Sequence, residues 1–66
     1  MPSLYAHEEL SHSYSEKSDA ELQAYALELQ NMRQETEIPR QHQAIIKLLG
    51  RIAFESHWRI ANGSNM

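Results

Sequence analysis

The stretch His7-Glu8-Glu9-Leu10-Ser11-His12 sets two imidazoles and two carboxylates within six residues, the donor types of a hydrolytic zinc site. A helix-borne site of that kind needs its histidines four apart, so that both nitrogens leave one face. His7 and His12 are five apart, which turns them about 140° away from each other on a helix. Glu8 and His12 do have the i, i+4 spacing, enough to catch a stray ion but not to build a centre of fixed geometry. Nucleophile and base pairs fare no better. Ser11, His12 and Ser13 are consecutive, as are Ser56 and His57, and neighbours on a helix point apart. Glu35, Glu37 and His42 gather around a turn, where solvated charge is the ordinary outcome. There is no glycine-rich phosphate loop and no cysteine. The residues therefore predict no catalytic set, no metal, no cofactor and no enzyme activity.

Binding chemistry is concentrated later in the chain. Lys47 and Phe54 are seven apart, and so are Arg51 and Trp58, which puts each cation two turns along from an aromatic ring on nearly one line. With Arg40 and Arg59 they form a basic and aromatic face suited to stacking bases and neutralising phosphates. The same residue types make protein–protein hot spots, where Trp and Arg are enriched. No RNP, KH or finger pattern accompanies them, and the net charge is −3. Nucleic acid is accordingly the second reading, with Arg40, Lys47, Arg51 and Arg59 as its contacts.

The elements that must position these residues follow from capping and periodicity. At Ser18-Asp19-Ala20-Glu21 a capping box opens directly onto Leu22, Tyr25, Ala26, Leu29 and Met32, an apolar stripe of helical period. A helix is expected over about 19–35. Pro39 disfavours helical geometry at Ile38 and suits the first helical position itself. A second helix is expected from 39 to about 61, closed by Asn62-Gly63. The brief link makes the two antiparallel neighbours, an αα-hairpin. Residues 1–17, with Leu4, Tyr5, Leu10 and Tyr14 in no evident stripe, read as an irregular or flexible tail, and 63–66 as a disordered end. The fold class is all-α, with 18–62 as the helical domain.

The longer helix has more apolar surface than its partner can cover. Ile38, Ile45, Leu48, Leu49, Ile52 and Ile60 form the seam toward the first helix. A second strip, Ile46, Gly50, Ala53, His57 and Ala61, lies beside it and is continued around the back by Phe54 and Trp58. A mid-helix glycine costs about 1 kcal/mol relative to alanine, and close approach of another backbone is one reason to keep it. Three covers compete for the strip: a second copy, the N-terminal tail and a foreign protein. A second copy, giving a four-helix bundle, is the leading expectation.

Composition points the same way. Sixty-six residues bury only about 60% of their unfolded surface, and no disulfide or zinc finger is present to compensate. Residues 1–38 carry eight acidic groups against Lys17 and Arg33, while 39–66 carry four basic groups against Glu55, so the halves attract. No stretch approaches a membrane span, and the first residues lack a basic and apolar leader pattern. The expectation is a small acidic cytoplasmic protein, a non-enzymatic adaptor, accessory or regulatory module. It would act as a homodimer, or on a larger protein, through its second helix.

Overall fold

Two long helices begin and end where their capping chemistry dictates. In the computed structural model, which describes residues 3–63, all regular elements among those residues are helical. They are α1 (Leu4–Leu10), a 3-10 segment (Ser11–Glu16), α2 (Asp19–Glu35) and α3 (Pro39–Ala61). The Glu21 amide donates to Ser18 Oγ at 3.1 Å and the Ser18 amide donates to Glu21 Oε1 at 3.0 Å, the reciprocal box that starts α2. Extended Ile38 and Pro39 start α3. At its far end the Asn62 amide donates to the Trp58 carbonyl at 2.9 Å, and Gly63 takes a φ of 81°, a left-handed conformation that stops the helix cheaply only at glycine.

The N-terminal segment departs from expectation. Instead of an irregular tail, residues 4–16 form α1 and the 3-10 segment, kinked at Ser13. Ser3 caps α1 by accepting from the Ala6 amide at 3.2 Å. The positions turned inward are Leu4, His7, Leu10, Ser11 and Tyr14, which do follow helical spacing. Two of the five are polar, so a stripe counted on apolar residues alone vanishes. Of the terminal residues expected to be disordered, Gly63 is a turn and 64–66 lie outside the described residues.

Leu22 and Leu29 of α2 and Ile45, Leu48 and Ile52 of α3 form the core, together with Tyr14. Tyr25, Ala26, Met32 and Leu49 pack against it. The N-terminal segment lies over the α2/α3 seam. His7 reaches Glu28, Tyr14 stacks on Tyr25 with ring centres 6.4 Å apart, and both α1 and the 3-10 segment touch α3. Two seam residues expected to be inside are not: Ile38 is 52% exposed and Ile60 74%. Ile38 precedes the first turn of α3 and so falls off its stripe. Near the other end the inward position belongs to Arg59, one residue before Ile60. The whole measures 42 × 18 × 17 Å, and its radius of gyration of 12.3 Å exceeds the ~11 Å of a compact chain this long.

Candidate functional site

The residues that suggested catalysis are dispersed or already engaged. His7 is fully buried, donating from Nε2 to Glu28 Oε1 at 3.0 Å and meeting Tyr25 edge-on, while His12 is exposed. The hydroxyls of Ser11 and Ser13 donate to the carbonyls of Glu8 and Leu10. At the turn, His42 Nε2 donates to the Thr36 carbonyl at 2.6 Å, with Glu35 and Glu37 exposed. Among the described residues, no group of three or more His, Asp or Glu side chains is placed to share an ion.

The strip singled out on α3 occupies one face of that helix. All seven of its residues, Ile46, Gly50, Ala53, Phe54, His57, Trp58 and Ala61, are exposed in the single chain. Phe54 is 72% and Trp58 53% accessible, and Ile46 49%. The N-terminal segment does not cover them, because its inward side chains are spent on the α2/α3 seam on the opposite side of α3. A Cβ built on Gly50 would meet nothing within 4 Å among the described residues. Within one chain, then, neither crowding nor strain explains that glycine.

Of the four expected phosphate contacts, the structure groups three and removes one. Arg40, Lys47 and Arg51 line a groove of about 410 Å³ whose other walls include Glu8, Ser11, His12 and Leu48. Arg51 and Phe54 also border a second hollow beside the 3-10 segment. Arg59 is turned into the fold. Its Nη1 donates to Asp19 Oδ1 at 2.6 Å, its Nε to Glu55 Oε2 at 3.0 Å, and its Nη2 to the Lys17 and Tyr14 carbonyls at 2.6 and 3.1 Å. The Asp19 carboxylate and then that of Glu55 raise its pKa, fixing it as a cation. Four of five guanidinium N–H groups are thus used internally, and Arg59 is not available to a ligand.

Sequence reasoning missed the groove and the clamp for different reasons. Glu8, Ser11 and His12 meet Arg40, Lys47 and Arg51 only once the N-terminal segment is helical and docked. The usable signal was the spacing of Leu4, His7, Ser11 and Tyr14, had polar residues been admitted to the stripe. For Arg59 no local pattern exists, because three of its four partners are about forty residues away in sequence. Compared with family models, curated proteins and solved structures, the chain matches none.

Proposed function

We propose that this protein is a non-enzymatic interaction module that acts by protein–protein binding through the outer face of α3, and that its first partner is a second copy of itself. The α2/α3 pair would then be a hairpin that doubles into a four-helix bundle, with the N-terminal segment riding on the outside. The supporting observation is the continuous exposure of Ile46, Phe54 and Trp58 around an unobstructed Gly50. A monomer seldom leaves a patch of that kind to water. A cytoplasmic, accessory or regulatory setting suits a chain of this size and acidity.

Light scattering across a concentration series tests the proposal. The expected result is twice the 7.7 kDa chain mass, with Trp58 fluorescence blue-shifted and protected from quenchers as the dimer forms. A single-chain mass at every concentration, with an open indole, overturns it.

The nucleic-acid reading survives in narrower form, favoured by Arg40, Lys47 and Arg51 sharing one groove. It predicts oligonucleotide binding that weakens steeply with salt, with a slope set by about three phosphates. Flat titrations at low salt with single-stranded and duplex DNA and RNA eliminate it.

A further inference from the structure

The arrangement of side chains about Gly50 carries information on how two copies would meet. Counting outward along α3, Gln43 and His57 stand seven residues to either side of Gly50, and Ile46 and Phe54 four. At about 100° per residue, Arg40, Lys47, Phe54 and Trp58 share one flank of the outer face, while Ile46 and Ala53 share the other. When two such helices pack in opposite directions about a two-fold axis, each flank meets its own counterpart reversed. We propose that α3 pairs with α3 of a second copy in this antiparallel sense, crossing at Gly50. The proposal rests on the self-association reading above and adds its direction and register.

Several independent matches follow from that one choice. The cations come opposite aromatic rings: Lys47, three residues before the crossing, meets the partner's Phe54, four after it. Arg40, ten before, lies against the partner's Trp58, eight after. Both are cation-over-ring contacts, which arginine and indole favour most. On the other flank Ile46 faces the partner's Ala53, large against small. At the crossing itself two glycines meet, and the space beside Gly50 that is open in one chain lets the helices approach closely. Parallel pairing about a two-fold would instead bring each flank against the opposite one at the same height, setting Lys47 beside the partner's Ile46 and Phe54 beside the partner's Ala53, so that Lys47 loses its ring. Neither cation has an ion-pair partner among the described residues that the contact would break.

Because the chain contains no cysteine, single substitutions report the register directly. Three full-length variants are made at exposed positions, Gly50→Cys, Gln43→Cys and His57→Cys, each checked for helical circular dichroism and for mass before mild oxidation. Gly50→Cys alone should become a disulfide-linked dimer in most chains. Gln43→Cys and His57→Cys should each stay uncrosslinked alone and form a mixed disulfide when combined. Self-crosslinking of Gln43→Cys and of His57→Cys would overturn the antiparallel register while leaving self-association standing. A dimeric mass with no crosslink at any of the three would also overturn it, placing the contact elsewhere. A monomeric mass throughout would remove the register and the functional proposal together.

Discussion

Tyr14 carries a hydroxyl into the core, where it finds no hydrogen-bond partner among the described residues. Leaving a buried donor unmade costs about 1–3 kcal/mol, so Tyr14→Phe should hold stability or raise it by about 1 kcal/mol in urea unfolding. Its pH behaviour fixes a sign. Burial raises the phenol's pKa, the nearby Arg51 charge pulls it partly back, and Tyr25 pushes it up again. The folded state therefore holds the proton more tightly than the unfolded chain. The associated stability is complete below the ordinary phenol value of 10.0 and is lost as pH rises through the higher folded value. Thermal melts of the wild type should fall off on that alkaline limb, and Tyr14→Phe should flatten the fall. An unchanged limb would assign the loss to other groups. Among the described residues His7 is the other buried polar side chain with an unmet atom, its Nδ1. These two residues also explain why the N-terminal helix was illegible. A stripe is read from oily residue types, and the core here accepts an imidazole whose far nitrogen is bonded to Glu28.

At the scale of elements, the starts of α2 and α3 were readable to the residue because they are written in local chemistry. The Ser18/Glu21 box and Pro39 act through contacts a few positions away, independent of what the rest of the chain does. Ser18→Ala should cost about 1 kcal/mol and speed amide exchange in the first turn of α2. Acid should have a related effect. The Ser18 backbone N–H, and then its side chain, hold the Glu21 carboxyl below its ordinary value of 4.5. That contribution is present above the ordinary value and is lost as pH falls through the depressed one, so the same amides should lose protection in acid. In Ser18→Ala and Glu21→Gln chains that acid step should be smaller. The outer strip of α3 was equally legible, since a single helix fixes which side chains share a face. Whether the tail covered it was not, because that depends on where a distant segment docks.

The whole molecule is drawn together at one cation. Arg59 binds the last carbonyls of the N-terminal segment, the first residue of α2 and its own helix neighbour Glu55. Arg59→Gln should lower the melting temperature and release amide protection over residues 4–16 before it affects α2 or α3. Arg33→Gln, on an exposed position with no ion pair among the described residues, should change neither. Simultaneous loss of protection everywhere would show that the three segments unfold as one unit. The side chains that hold α3 to the rest, Ile45, Leu48, Ile52 and Arg59, have no member in common with the ring-bearing side around Gly50. Foldability and recognition are thus encoded on opposite longitudes of one rod, and selection, or a designer, is free to redraw one hemisphere without unsettling the other.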